Sequence, residues 1–375
     1  VTNLSRSILL LAGVCALGLP ISLVFADGAF AGPLVIGFFV CLAIGGRGHP
    51  VLKNFTFTLS IFAAVATSMF YPQYFGEVGD FTLTRLIVPL IQVIMFGMGT
   101  ALSLKDFAGV VRMPKGVVVG MVCQFTIMPL VGVTLAMAFG FPPEVAAGIV
   151  LIGSAPGGVA SNVMAYLAGA NVALSVTLTT CSTLLAPLMT PLLMEMLAGQ
   201  FVPVDFFAMM LSIINMIILP VFAGLLFNQI FRGRAAWLHR SMPVVSMVAI
   251  AVVITIITAA GRDSLLQIGL ALIGAAIIHN AVGYLLGYWG ARLARLDEQS
   301  CRTIAIEVGM QNGGMASGIA LQMGKVATVG LAPAIFGPWM NISGSILANY
   351  WRGKPIPGAE PPAIVDGAET EPVAT

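Results

Sequence analysis

The chain has 375 residues, 58% hydrophobic and 9% charged, with a mean hydropathy of +1.00 and a formal net charge of +2. An average soluble domain carries roughly 25% charged residues, and 17 basic plus 15 acidic side chains cannot coat soluble domains of this length. A soluble enzyme, a nucleic-acid binder and a disordered scaffold are excluded, leaving a polytopic membrane protein that works in a lipid bilayer.

Apolar stretches able to cross a hydrocarbon core as helix fall at 6–25, 31–46, 53–71, 85–103, 116–139, 145–168, 171–197, 206–228, 242–260, 265–290, 301–323 and 331–350. These are twelve spans, the second one short. With the N-terminus in the cytoplasm, the inner side receives Arg6, Arg47, Lys53, Lys105, Arg112, Lys115, Arg232, Arg234, Arg240, Arg292, Arg295, Arg302, Arg352 and Lys354. The outer side keeps Arg85, Arg262 and Lys325. This positive-inside bias supports the count and places both termini in the cytoplasm, as in a bacterial inner-membrane protein.

The first span has a second reading. Arg6, the apolar run from Ile8 to Phe25 and the small-residue step at Ala26 also fit a cleavable signal peptide. Cleavage would leave the later spans oriented as before. Residues 353–375, rich in Pro, Ala and Glu, are expected to be a disordered tail. Cys15, Cys41, Cys123, Cys181 and Cys301 lack metal-like spacing and are expected to be buried, inert thiols.

Two spans are unlike plain lipid-facing helices. Residues 153–162 run Gly-Ser-Ala-Pro-Gly-Gly-Val-Ala-Ser-Asn, and residues 307–317 run Glu-Val-Gly-Met-Gln-Asn-Gly-Gly-Met-Ala-Ser. Both contain Gly-Gly-X-Ala-Ser, at 157–161 and 313–317, and Pro156 removes a backbone donor. If 51–200 and 201–352 are two halves of five spans each, the motifs occupy the fourth span of each half. An odd repeat reverses direction through the membrane. The expected fold is therefore all-α, with inverted five-helix repeats, one discontinuous helix in each, and two extra N-terminal spans within 1–50. That is the sequence pointer to a secondary transporter. Two glycine-rich packing faces are the alternative on the motifs alone.

Glu307 is the acidic residue well inside an apolar span, and such a carboxylate usually marks an ion or proton pathway. Gln311 lies one turn later on the same helical face, and Asn312 follows beside the glycines. The matching half offers Ser161 and Asn162 after its break, then Ser175 and Thr179 at i, i+4, while Gln124 is mid-span in 116–139. A set of neutral oxygens with one carboxylate suits a hard monovalent cation. His279 stands alone in its span and reads as a helix-packing hydrogen-bonder; without a His-Glu-X-X-His motif or a second intramembrane acid, an intramembrane enzyme is not supported.

The run from Pro156 to Asn162, the helix 171–191 and the segment 307–314 resemble the bile acid:sodium symporter family over residues 50–352. The resemblance implies ten core helices in a panel and a core domain, with the broken helices crossing in the core. It implies one sodium site at Ser161, Asn162, Ser175, Thr179 and Glu307. It implies a second at the side chains of Gln124 and Gln311 with backbone oxygens of Glu307, Val308 and Met310. Substrate is expected in the crevice near Gly158, Val159, Asn312 and Gly313, with Asn341 a further candidate. The two extra N-terminal spans depart from the family pattern.

Half-helix N-termini past Gly158 and Gly314 direct partial positive charge to the midplane, and two Na⁺ against Glu307 leave +1 there. A small organic anion, taken up with Na⁺ by alternating access, is the expected substrate; Na⁺ is a coupling ion, and no cofactor is expected. The rival keeps the fold and uses Glu307 as a proton carrier in a proton-coupled transporter or exchanger.

Overall fold

The computed structural model describes residues 3–25, 29–49, 52–103, 108–231, 236–352 and 354. The proposed tail therefore lies outside the described residues except Lys354. The chain is almost entirely helical, as a bilayer demands: without water, backbone N–H and C=O groups must be satisfied within the protein.

Helices α1 (Asn3–Phe25), α2 (Ala31–Gly45), α3 (Thr56–Phe70) and α4 (Ile87–Ala101) cover the first four apolar stretches, and a short helix α5 (Ala108–Arg112) follows. Next come α6 (Pro114–Phe139), α7 (Pro143–Gly153), α8 (Ala160–Leu167) and α9 (Val172–Leu193). The second half contains α10 (Phe206–Ile213), α11 (Leu219–Phe231), α12 (Ala236–Ala260) and α13 (Arg262–Leu293). Helices α14 (Glu298–Gly309), α15 (Gly313–Gln322) and α16 (Leu331–Arg352) complete it. Among the described residues, eight helical stretches are long and apolar enough to cross a membrane. The other four sequence stretches contain α3, α16 and the interrupted pairs α7/α8 and α14/α15.

Local chemistry explains the boundaries. Pro114 and Pro143 start α6 and α7, where a missing N–H costs nothing, and Gly140 ends α6 in the left-handed region at φ 64°. Asn171, Asp205, Asp297 and Asn312 cap α9, α10, α14 and α15 through side-chain oxygens. A widened π turn, Ile214–Ile218, joins α10 to α11 just before Pro220, which cannot donate to the helical ladder. The all-α reading has one small exception. Between α3 and α4, β1 (Glu77–Val78) pairs antiparallel with β2 (Phe81–Thr82) around Gly79 at φ 59°.

The helices pack as two groups. Helix α4 runs against α11 and α12, and α12 against α3. In the other group α13 packs on α6, α14 and α16, α6 on α7 and α9, and α16 on α7, α8 and α15. A Cβ on Gly99 would stand 2.1 Å from the Val221 carbonyl oxygen, so glycine lets α4 and α11 touch backbone to backbone. The groups meet where α4 packs on α15, α10 on α9 and α15, and α12 on α16. The extra pair adds to one edge: α1 packs on α2, and α2 on α3. Leu10, Leu17 and Val24 of α1 are exposed, as expected of a face turned to lipid.

Candidate ion and substrate site

The site is made by the two interruptions. Helix α7 stops at Gly153 and the chain resumes as α8 at Ala160; α14 stops at Gly309 and α15 starts at Gly313. Each interruption frees backbone groups deep in the protein, and they satisfy one another. Gly158 N–H donates to the Met310 carbonyl at 2.8 Å, and Asn312 N–H to the Pro156 carbonyl at 2.8 Å. Gly157 and Gln311 thereby form an isolated antiparallel bridge. Sequence positions about 150 residues apart in the two halves thus become neighbours.

Glu307, on the last turn of α14, is only 3% exposed. Ser161 donates to its Oε1 at 2.6 Å, Ser175 donates to the same oxygen, and Thr179 donates to Oε2 at 2.8 Å. Asn162 Oδ1 completes the cluster, 2.8 Å from Ser175 Oγ and 3.2 Å from Thr179 Oγ1. Glu307 and the four side chains singled out around it are brought together. None of the ion pairs among the described residues involves Glu307. The hydroxyls keep lone pairs besides the proton they donate, so the same atoms can serve as ligands for a cation. No group of three or more His, Cys, Asp and Glu side chains gathers anywhere among the described residues.

A second cluster lies beside the first. Gln124 Nε2 donates to Gln311 Oε1 at 2.7 Å and to the Ala155 carbonyl at 3.0 Å; Gln311 Nε2 donates to the Val308 carbonyl at 2.6 Å. Gln124 and Gln311 therefore meet, as the resemblance implied, but Gln311 does not share a helical face with Glu307. Helix α14 has already ended at Gly309, so Gln311 is not one helical turn beyond Glu307 on a shared face; it is in the unwound link and its side chain folds back. Asn312 caps α15, whose first residue is Gly313, so that half-helix begins two residues earlier than a start just past Gly314.

Next to these links is a cavity of about 120 Å³. Gly158, Val159, Asn312, Gly313 and Asn341 all line it. Its opposite wall is aliphatic, from Ile91 and Met95 of α4 and Ile250 and Ile254 of α12, and no charged side chain lines it. Asn312 caps α15 with Oδ1, accepting from Met315 N–H at 3.0 Å. Its Nδ2 is buried without a partner among the described residues, leaving a spare donor beside the cavity.

Several polar residues at the site were not evident from the sequence. Ser182 accepts from Gly157 N–H at 3.3 Å, and Thr190 donates to the Ser154 carbonyl at 2.8 Å. Asn280 of α13 donates to the Gly309 carbonyl at 2.8 Å. Ser182 lies in a run of hydroxyl side chains on α9 and Asn280 follows His279, so the signal that would mark each residue is its helical face, not a motif. His279 behaves as its position suggested, its Nε2 lying 3.1 Å from the Met128 carbonyl of α6. Arg302, read as a charge at the inner membrane edge, is 3% exposed: it pairs with Glu298 at 3.0 Å and donates to the Ala168 and Trp351 carbonyls. Cys41, Cys123 and Cys301 are buried, whereas Cys15 and Cys181 are only half-buried; all five are free thiols.

A polytopic helical membrane protein in which two interrupted helices face each other across a ring of oxygens belongs structurally with membrane carriers, not with enzymes. Residues 88–292 match the model of the sodium bile acid symporter family. The chain is 41% identical over 307 residues to the uncharacterized sodium-dependent transporter YocS of Bacillus subtilis, covering 82% of this chain and 93% of that one. It is 36% identical over 262 residues to the probable chloroplastic sodium/metabolite cotransporter BASS1 of Arabidopsis thaliana, covering 70% and 65%. With the ileal sodium/bile acid cotransporter of Homo sapiens it shares 33% identity over 255 residues, covering 65% and 71%. The chain belongs to the sodium bile acid symporter family.

Proposed function

We propose that this protein is a sodium-coupled symporter of a small organic anion, working by alternating access. The observation that carries the reading is the buried Glu307 carboxylate ringed by Ser161, Ser175, Thr179 and Asn162. A single intramembrane carboxylate among neutral oxygens matches a hard monovalent cation, which would replace its hydration shell with these atoms. A proton carrier needs the carboxylate alone. Names of the relatives, each called a sodium-dependent transporter or a sodium cotransporter, support the same choice.

Ser161, Asn162, Ser175, Thr179 and Glu307 would hold one Na⁺. Gln124, Gln311 and the carbonyls of Glu307, Val308 and Met310 would hold the other. In this structure Gln124 and Gln311 bond to each other, so ion entry would exchange that bond for ligation. The links that bear both sites also carry Gly158, Val159, Asn312 and Gly313 on the cavity wall. Ions that order the links would therefore favour the state competent for substrate, which is the differential binding that coupling requires. Two Na⁺ against one carboxylate leave a surplus positive charge that a monocarboxylate neutralises, with the free Asn312 Nδ2 as a donor to it. The helices 51–200 and 201–352 would form inverted halves, in a bacterial inner membrane with both termini cytoplasmic if the first span is retained.

The test is thermal unfolding of purified protein in NaCl and in KCl with a panel of organic monocarboxylates. Joint stabilisation by Na⁺ and one class of acid is the expected result, and it names that class. Equal stability in both salts with every acid refutes the ion assignment.

A further inference from the structure

The ion reading concerns atoms that would touch Na⁺; the structure also shows what holds those atoms in place. Of the four carbonyls from Glu307 to Met310, the one at Gly309 is claimed by a different helix. Asn280 of α13, 1% exposed, donates to it from Nδ2 at 2.8 Å. The N–H end of the same peptide unit, at Met310, donates to the Ile306 carbonyl at 3.0 Å. That peptide is therefore fixed at both ends, which sets the directions of the Val308 carbonyl before it and the Met310 carbonyl after it.

Asn280 is itself held. Ser343 of α16 donates to its Oδ1 at 2.5 Å, and the Tyr284 hydroxyl lies 3.1 Å from Ser343 Oγ. The Tyr284 ring presses on the break directly: a Cβ on Gly309 would stand 2.2 Å from its Cδ1, so only glycine fits. Gly283, on the same helix, allows this approach, since a Cβ there would be 3.1 Å from Gly309 Cα. Neighbouring His279 provides the contrast. Its bond goes to the Met128 carbonyl of α6, beside Gly153 where α7 ends, and not to α14. Asn280 makes its one carbonyl contact among the described residues to Gly309, where α14 ends.

We infer that Asn280, fixed by Ser343, is a positioning residue for the second ion site: it clamps the Gly309 peptide between the Val308 carbonyl, which faces the Gln311 side chain, and the Met310 carbonyl, which faces Gly158 N–H. This rests on the reading of those groups as Na⁺ ligands. Groups that orient ligands without touching the metal commonly alter metal affinity about 10- to 100-fold when removed. A hard monovalent ion, held more weakly, places the expectation near the lower end.

The test is Na⁺ titration of the purified full chain at constant ionic strength, with K⁺ as the replacing ion, read by thermal unfolding and by ²²Na⁺ binding. Asn280→Ala should unfold within a few degrees of wild type in K⁺, yet need about tenfold more Na⁺ for half-maximal stabilisation. Ser343→Ala, which keeps the amide but releases it, should need about threefold more. Tyr284→Phe, which keeps the ring, should titrate like wild type. If Asn280→Ala does not fold, Ser343→Ala decides alone, and a wild-type Na⁺ midpoint there overturns the inference. A Na⁺ response in wild type that both Asn280→Ala and Ser343→Ala retain unchanged overturns it without touching the proposed function. Absence of any Na⁺ response in wild type overturns the proposed function, and this inference with it.

Discussion

Gly157→Ala tests the crossing of the two links with a single methyl group. A Cβ at Gly157 would stand 2.8 Å from Glu307 Oε2, closer than real Cβ atoms approach, and 3.7 Å from Ser182 Oγ. Gly157 is not in the left-handed region, so the cost is contact alone, not backbone strain. The carboxylate can retreat only by giving up the bond that Thr179 donates to the same oxygen at 2.8 Å. Losing a hydrogen bond to a charged group costs about 1.5–3 kcal/mol, and overpacking costs a similar amount. One such loss corresponds to roughly 10- to 150-fold in affinity. The Na⁺ concentration for half-maximal ²²Na⁺ binding should rise by a factor within that range. Gly269→Ala, on α13 with nothing within 4 Å of the added carbon, is the control and should bind Na⁺ as wild type does. Wild-type Na⁺ affinity in Gly157→Ala would refute the placement of Glu307 at the ion site.

Other substitutions probe separate parts of the account. Glu307→Gln keeps the shape but removes the charge; a unit charge at about 4 Å is worth about 4 kcal/mol at an effective dielectric of 20, so Na⁺ binding at that site should fall about a thousandfold. Gln124→Ala should leave one of two Na⁺ bound per chain, countable by ²²Na⁺ stoichiometry, and unchanged stoichiometry would contradict the second site. Asn312→Leu removes the free donor beside the cavity and should abolish stabilisation by the organic acid while Na⁺ still binds. Arg302→Met takes the donor from the Ala168 and Trp351 carbonyls, while Glu298 keeps Arg292 and Tyr288; leaving a buried acceptor unsatisfied costs about 1–3 kcal/mol. Its unfolding temperature should drop with no change in Na⁺ midpoint.

Much of this site was legible because its chemistry is anomalous for a membrane. Pro156 and the paired glycines mark places where a bilayer helix must break, and Glu307 is a charge that lipid does not tolerate without purpose. The partners of Glu307 were legible as hydroxyls and amides on matching elements of the other half. Asn280, Tyr284 and Ser343 were not, because single polar residues in apolar helices are common and their meaning depends on which face of α13 touches Gly309. The placement of Gln311 on one helical face with Glu307 was misread for a related reason. A helical period locates a side chain only while the helix continues, and α14 stops two residues before it. Arg302 looked like an interfacial charge because sequence shows the span boundary but not the C-terminal ends of α8 and α16 that converge on it.

Uptake by the purified protein in proteoliposomes, at fixed pH, tests the central claim most directly. The substrate is the organic monocarboxylate selected by thermal unfolding, and the driving force is an inward Na⁺ gradient or, in its place, an equal K⁺ gradient with or without a proton gradient. The account predicts accumulation with the Na⁺ gradient alone, and none when Glu307 is replaced by Gln. Equal accumulation with K⁺ under a proton gradient would contradict it and assign Glu307 to proton transfer.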